Sequence, residues 1–174
     1  MNSSCSVRRA SRVVCAVLAV AVASAAAVQA QEVGLAIGTV PEAVVVEDLD
    51  GQPVDLGEWV GNGPVLLEFW ATWCPICEAL QPRLDAAHAR YGDQVRFAAV
   101  AVGVNQSPRS IRRHLEDHPL PYPMLWDGRG RATRTYRAPT TSYIVILDAE
   151  GRVAYTGVGE DQDLDAALER VVER

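Results

Sequence analysis

The sequence predicts one α/β domain in which helices flank a mixed central sheet. Two nearly continuous apolar runs, Val65–Trp70 and residues 95–104, have the pattern of strands that are covered on both faces. Later in the chain, residues 142–147 and 152–156 flank an Asp-Ala-Glu-Gly segment, which is typical of a β-hairpin turn. Helical segments separate these strands, and that alternation indicates an α/β sandwich.

Four segments have the spacing or the capping signals of helices. Pro75–Tyr91 carries an apolar stripe at helical spacing, and Pro75 suits the first turn, where its missing N–H does little harm. Residues 107–117 form an amphipathic segment, with Ser107 as the expected N-cap. The other two segments are residues 129–136 and Leu164–Val172.

The region before the first central strand is predicted to be a β-hairpin. Residues 43–47 and 52–54 flank an Asp-Leu-Asp-Gly sequence whose Asp-Gly step favours a tight turn. The chain has no internal repeat, so we expect residues 40–174 to form one domain, preceded by an extension at residues 31–39.

Residues 1–30 have the composition of a secretory signal peptide. Three arginines precede an alanine-rich apolar run at residues 13–28, and small residues precede the expected cleavage site after Ala30. An uncleaved membrane anchor is the alternative, because the run is only slightly shorter than a spanning helix. In both cases we expect export to the periplasm.

The charge of the exported part limits its partners. Removal of residues 1–30 leaves 144 residues with 13 arginines and 22 acidic side chains, a formal charge of −9. Such an acidic chain argues against nucleic acid and against anionic membrane surfaces as partners. The sequence contains no lysine, which excludes chemistry that needs a lysine amine.

Cys74 and Cys77 are the cysteines that remain once the leader, with Cys5 and Cys15, is removed. Two cysteines three positions apart close too small a loop to stabilise a fold, and export compartments are where disulfides are exchanged. We therefore interpret the pair as a redox-active centre. Half of a zinc site is the alternative, but the chain offers no second such pair and no histidines at matching spacing. We expect no metal and no other cofactor.

The segment Phe69-Trp70-Ala71-Thr72-Trp73-Cys74-Pro75-Ile76-Cys77 resembles the active-site segment of the thioredoxin superfamily. Pro82 follows the second cysteine by five residues, and Ala138-Pro139 precedes the late hairpin as the family's cis-proline loop does. The hairpin, the leader and an insert at residues 104–137 are similar to the TlpA/ResA/DsbE-like branch of exported thiol–disulfide oxidoreductases. The resemblance implies a thioredoxin fold with an insert before the cis-proline loop.

The position of the cysteine pair explains how it could react. At the start of a helix, unpaired backbone N–H groups and the helix dipole favour a thiolate at Cys74 over a thiol. Such a thiolate can attack the disulfide of a partner. Cys77, about one helical turn inward, can then attack Cys74 and release the partner.

Glu68 is a candidate catalytic acid because a carboxyl in a buried apolar strand is unfavourable without a role or a partner. It stands six positions before Cys74, where thioredoxins carry a buried acid. The resemblance implies that Glu68 moves a proton to or from Cys77 during exchange. A glutamate that leans inward from an edge strand and bonds to the backbone is the alternative.

Five residues are candidates for contact with a client protein. Trp73, Pro75 and Ile76 surround the first cysteine. The resemblance implies that Pro139 is cis and packs against the disulfide, and that Ala138 offers backbone hydrogen bonds to an extended client. An ordinary trans proline is the alternative, since most X-Pro bonds are trans.

The resemblance implies a reductase that acts on client proteins with cysteines or disulfides, such as the haem-binding cysteines of apocytochrome c. A membrane thiol–disulfide partner would supply the electrons. A DsbA-like thiol oxidase is the alternative, because a proline-first pair occurs in both groups. A peroxidase is disfavoured because Thr72 lies two residues before Cys74 instead of three, and a copper chaperone because no histidine follows His118.

Overall fold

The computed structural model describes residues 33–173. The predicted signal peptide, residues 1–30, and the first two residues of the predicted extension lie outside this part. The strands and α-helices of the described chain follow one another in the order β1 (Val45–Asp48), β2 (Pro53–Asp55), β3 (Val65–Trp70), α1 (Pro75–Tyr91), β4 (Arg96–Val102), α2 (Pro108–Asp117), β5 (Met124–Asp127), α3 (Arg131–Thr135), β6 (Tyr143–Leu147), β7 (Val153–Val158) and α4 (Leu164–Val172).

The strands form one mixed sheet in the order β2-β1-β5-β4-β3-β6-β7. Strand β3 pairs in parallel with β4 and antiparallel with β6, so both of its edges are covered. Every residue of β3 and β6 is buried, as expected for strands between two layers of helices. The predicted mixed sheet with flanking helices is therefore confirmed.

The predicted N-terminal hairpin and the predicted insert lie in the same half of the sheet. Strands β1 and β2 pair antiparallel at one edge, and β1 pairs antiparallel with β5. The insert at residues 104–137 contains α2, β5 and α3, and its strand β5 lies parallel to β4. The insert thus widens the sheet and joins the hairpin to the central strands.

The helices begin and end where local signals place them. Helix α1 starts directly after Cys74 and continues through Pro82 to Tyr91. Ser107 caps α2, since its hydroxyl accepts a hydrogen bond from the Ser110 N–H at 3.3 Å. Helices α1 and α4 pack against each other, which leaves the start of α1 at the end of the sheet.

The described part of the N-terminal extension lies along β7. The Gly38 N–H donates to the Val153 carbonyl at 2.7 Å, and the Val153 N–H donates to the Thr39 carbonyl at 2.8 Å. Among residues 33–173, no helix has both the length and the apolar character needed to cross a membrane.

Candidate active site

The cysteine pair lies where strand β3 gives way to helix α1. A tight turn follows Trp70, in which the Cys74 N–H donates to the Ala71 carbonyl at 3.1 Å. Cys74 is the N-cap of α1 and has extended backbone angles, φ −99° and ψ 98°. Because the strand, the turn and the cap are consecutive, the sequence itself places Cys74 at the N-terminus of the helix.

Cys74 and Cys77 form a disulfide, with their Cα atoms 5.3 Å apart. The Cys77 N–H donates to the Cys74 Sγ at 3.1 Å, so the helix start already directs a backbone donor at this sulfur. A donor in this position stabilises negative charge on Cys74 once the disulfide opens. The geometry can therefore support thiol–disulfide exchange.

The two cysteines differ slightly in their exposure to solvent. Cys74 is 7% exposed, whereas Cys77 is completely buried. Disulfide exchange requires a direct approach of one sulfur to another. Cys74 is therefore the more accessible of the two cysteines to the sulfur of a partner.

Glu68 lies at the centre of the sheet, between Ala99 of β4 and Ile144 of β6, and is completely buried. Neither of its carboxyl oxygens has a hydrogen-bond partner among the described residues. The alternative of an edge glutamate bonded to the backbone is therefore wrong. Burial, with a smaller contribution from the charge of Asp85, raises the pKa of Glu68 to about 8.

A polar pair on α1 lies near this carboxyl. The Gln81 amide donates to the Tyr122 hydroxyl at 3.0 Å and to Asp85 Oδ1 at 2.7 Å. The pKa of the Tyr122 hydroxyl is raised by burial and, to a lesser extent, by the charge of Glu68. The buried acid is thus electrostatically coupled to groups on the helix that begins at Cys74.

A cleft of about 200 Å³ opens beside Cys74. Its charged groups are the carboxylates of Glu78 and Asp85. His114 and His118 stack on its far wall with ring centroids 4.6 Å apart, and burial, followed by the charge of His118, lowers the pKa of His114. Since the described residues that line the cleft include no arginine, the cleft is negative at neutral pH.

Exposed apolar side chains flank Cys74 in the chain, and one of them contacts the loop after β4. Trp73 is 46% exposed, Ile76 49% and Val104 52%, and Pro75 is also exposed. The Trp73 indole N–H donates to the Val104 carbonyl at 2.8 Å, which fixes the ring against the loop that follows β4. We call Trp73, Ile76 and Val104 the apolar rim.

The prediction that Pro139 is cis is wrong, because no peptide bond is cis between residues 33 and 173. The turns before β6 use left-handed backbone at Arg137, with φ 49°, and at Ser142, with φ 59°. An X-Pro bond favours trans by about 0.5–1 kcal/mol, and this loop reverses without the cis form. The Ala138 N–H donates to the Thr133 carbonyl at 2.9 Å. Pro139 itself is exposed.

Sequence reasoning missed Gln106, whose side chain contacts the segment before Cys74. Its Oε1 accepts from the Thr72 N–H at 2.9 Å, and its Nε2 donates to the Val102 carbonyl at 2.7 Å. One signal could have found it: the ends of two adjacent parallel strands meet at one edge, so a polar residue just after β4 lies near the turn after β3.

Comparison with known proteins places this fold and site in a family. Residues 36–171 match the Redoxin family. The chain belongs to the Redoxin family. A relative, the thiol-disulfide oxidoreductase ResA of Bacillus thuringiensis subsp. konkukian, is 25% identical over 143 residues, covering 81% of this chain and 82% of the relative.

Two solved structures share the fold of this Redoxin-family chain. The thioredoxin domain of a thiol-disulfide oxidoreductase from Bacteroides vulgatus has a TM-score of 0.68 at 22% identity, covering 79% of this chain and 99% of that domain. A secreted disulfide oxidoreductase of Mycobacterium tuberculosis, homologous to DsbE of E. coli, has a TM-score of 0.62 at 24% identity, covering 75% and 96%. The thioredoxin fold is confirmed, and the relatives and the Cys74–Cys77 disulfide support thiol–disulfide oxidoreductase activity.

Proposed function

We propose that this protein is a periplasmic thiol–disulfide oxidoreductase that reduces disulfides in client proteins. One observation carries the proposal: a disulfide lies at the N-terminus of α1, with Cys74 7% exposed and Cys77 completely buried. An asymmetric pair of this kind suits an attacking cysteine followed by a resolving one.

The reduced protein would act in two exchange steps. The Cys74 thiolate attacks one sulfur of the client disulfide, the client S–S bond breaks, and the departing client sulfur takes up a proton. Cys77 then loses its proton and attacks Cys74, which releases the second client thiolate and forms the Cys74–Cys77 disulfide. Two electrons pass from the protein to the client, and a donor must return them.

We assign the proton of Cys77 to Glu68. This carboxyl is buried in the strand that leads to the cysteines, lacks a hydrogen-bond partner among the described residues, and has a pKa raised to about 8. A group with a pKa near the working pH can both accept and return a proton, which efficient acid–base catalysis requires.

The negative cleft favours the reductase over the DsbA-like oxidase. A strong oxidant such as DsbA stabilises its reduced thiolate. Here the carboxylates of Glu78 and Asp85 share a cleft with Cys74, and they disfavour an additional negative charge on that sulfur. A less stabilised thiolate makes the dithiol a better reductant.

The client would dock on the apolar rim beside Cys74. Trp73 and Ile76, with Pro75 between them in the chain, offer exposed surface next to the accessible sulfur. Ala138 and Pro139 would meet the client chain from the loop before β6. Proteins with paired cysteines are the client class, and the haem-binding cysteines of apocytochrome c are the members that the family resemblance suggests.

The composition of residues 1–30 supports export, with cleavage after Ala30. The donor would be a membrane thiol–disulfide protein that reduces the Cys74–Cys77 bond by the reverse of the exchange described above. Mass spectrometry of the protein recovered from the periplasm distinguishes a cleaved leader, which leaves Gln31 first, from an uncleaved anchor.

The deciding experiment is the reduction potential of the Cys74–Cys77 couple, measured by equilibration with glutathione or dithiothreitol. A reductase predicts a value near that of thioredoxin, about −270 mV, whereas a value near that of DsbA, about −120 mV, would make the protein an oxidase. Glu78→Gln should raise the reduction potential by about 10–30 mV, because loss of a nearby negative charge stabilises the Cys74 thiolate of the reduced form. A change of about 30 mV corresponds to about 1.4 kcal/mol.

Two variants test the cysteine roles. Cys74→Ser should abolish exchange with a peptide disulfide, while Cys77→Ser should accumulate a mixed disulfide between Cys74 and the peptide that is visible by mass spectrometry. Activity that survives in Cys74→Ser would contradict the proposed function.

A further inference from the structure

Gln106 joins the turn before Cys74 to the end of strand β4. Its Oε1 accepts from the Thr72 N–H at 2.9 Å, and its Nε2 donates to the Val102 carbonyl at 2.7 Å, with a longer contact of 3.5 Å to the Trp70 carbonyl. Only a side chain with both an acceptor and a donor at this reach can satisfy an N–H and a carbonyl together. The partners therefore also set the orientation of the amide.

The contacts of Gln106 with the turn lie beyond the last paired residues of β3 and β4. The last ladder pair between β3 and β4 is Trp70 with Ala101, so backbone beyond that pair lacks ladder partners on the other strand. Gln106 extends the connection by two residues, to Thr72, and the Trp73–Val104 hydrogen bond extends it by one more. The turn that carries Cys74 is thus anchored to buried strand β4.

We propose that Gln106 is a positioning residue for disulfide exchange, which holds the Thr72–Trp73 turn so that Cys74 and the apolar rim keep a fixed relation to the start of α1. The inference rests on Cys74 being the attacking cysteine. Gln106 acts through the backbone of the turn and does not touch the sulfurs in the described contacts.

The hydrogen bonds of Gln106 matter because the reactivity of the Cys74 sulfur depends on its distance from nearby groups. The Cys77 N–H meets the Cys74 Sγ at 3.1 Å, and a free turn would let Cys74 move away from this donor. Exchange needs a defined approach of three sulfurs, and a displacement of about 1 Å can slow a reaction by up to about 100-fold. Loosening the turn should therefore lower the thiolate fraction of Cys74 and the rate of attack together.

The first test replaces Gln106 by methionine, which keeps the length of the side chain and removes its hydrogen bonds. We expect the second-order rate with a peptide disulfide to fall about tenfold or more, and the thiolate absorbance of Cys74 near 240 nm to appear at higher pH. Gln94→Met is the matched control, because Gln94 is exposed and remote from the cysteines in the chain, and its kinetics should equal those of the wild type.

The second test replaces Gln106 by glutamate. An ionised glutamate can still accept from the Thr72 N–H, but it has no donor for the Val102 carbonyl. A protonated carboxyl regains a donor. The ratio of the Gln106→Glu rate to the wild-type rate should therefore rise as the pH falls, at a temperature where both proteins are folded. This variant also keeps the proposal testable if Gln106→Met does not fold.

The outcomes separate this inference from the proposed function. Lower unfolding temperatures with unchanged exchange rates and unchanged thiolate titration would make Gln106 a structural residue and overturn the proposal. So would a rate ratio for Gln106→Glu that does not depend on pH. If Cys74→Ser remained active, the proposed function would fail first, whatever the result at Gln106.

Discussion

Replacing Glu68 by glutamine should remove a pH dependence of folding stability that this one buried carboxyl creates. Burial raises the pKa of Glu68 from an ordinary value of 4.5 to about 8. Between these values the folded protein keeps a proton that the unfolded chain releases. The stability from this group is therefore complete below pH 4.5 and is lost as the pH rises through 8.

The size of the effect follows from the same two values. Each pH unit between them changes the free energy of unfolding by about 1.4 kcal/mol, so the full effect is about 5 kcal/mol. Between pH 5 and pH 8 a single group with these pKa values contributes roughly 3 to 4 kcal/mol. Glutamine has nearly the same volume and does not titrate, so the Glu68→Gln protein should lack this loss.

The assay is urea unfolding of the oxidised proteins at pH 5 and pH 8, so that no thiol titrates. The quantity of interest is the difference between Glu68→Gln and wild type, since other titrating groups cancel in it. That difference should shift by roughly 3 to 4 kcal/mol in favour of the variant at pH 8. Glu150→Gln, which changes an exposed carboxyl, should follow the wild-type dependence.

The reasoning would be refuted if the difference between Glu68→Gln and wild type were the same at both pH values. That result would mean that Glu68 titrates alike in the folded and unfolded protein. It would also remove the physical support for its role as the proton acceptor of Cys77.

Two further predictions concern the apolar rim and the first turn of α3. Ile76→Ser should lower kcat/KM for a peptide disulfide about fivefold, equivalent to about 1 kcal/mol of lost apolar contact, with little change in the free energy of unfolding. Val40→Ser is the control, because Val40 is equally exposed at 49%. An unchanged kcat/KM in Ile76→Ser would exclude Ile76 from client docking. Asp127→Ala should lower the free energy of unfolding, measured with urea, by about 2–3 kcal/mol. The reason is that the Asp127 carboxylate accepts hydrogen bonds from the Arg131 and Thr133 N–H groups at 2.7 and 2.8 Å. A decrease in unfolding free energy no larger than that of Asp161→Ala, at an exposed aspartate, would contradict this role.

Local patterns were sufficient for the elements that create the site. The unbroken apolar run of Val65–Trp70 predicts a fully buried central strand, and the stripe with proline in the first turn predicts Pro75–Tyr91 as a helix. Both signals depend on neighbouring residues alone. The position of Cys74 at the N-cap follows from them without knowledge of the rest of the fold.

Features that form between residues far apart in the chain could not be predicted as well from the sequence. The resemblance to the thioredoxin superfamily implied a cis bond at Pro139, but this bond is trans, as most X-Pro bonds are. The negative cleft combines Glu78 and Asp85 of α1 with His114 and His118, from the insert. Spacing along the chain cannot show that these segments face one another.

The sequence by itself determined the strand, the helix and the cysteine pair at their junction, because each arises from interactions between residues close in the chain. It also marked Glu68 as an acid in an apolar strand. Only the tertiary structure decided that the Glu68 carboxyl has no hydrogen-bond partner within residues 33–173 and that Gln106 reaches the turn before Cys74. Hydrogen bonding and desolvation are set by whichever atoms the packed chain brings together, so they become known only once the sheet and its helices are assembled.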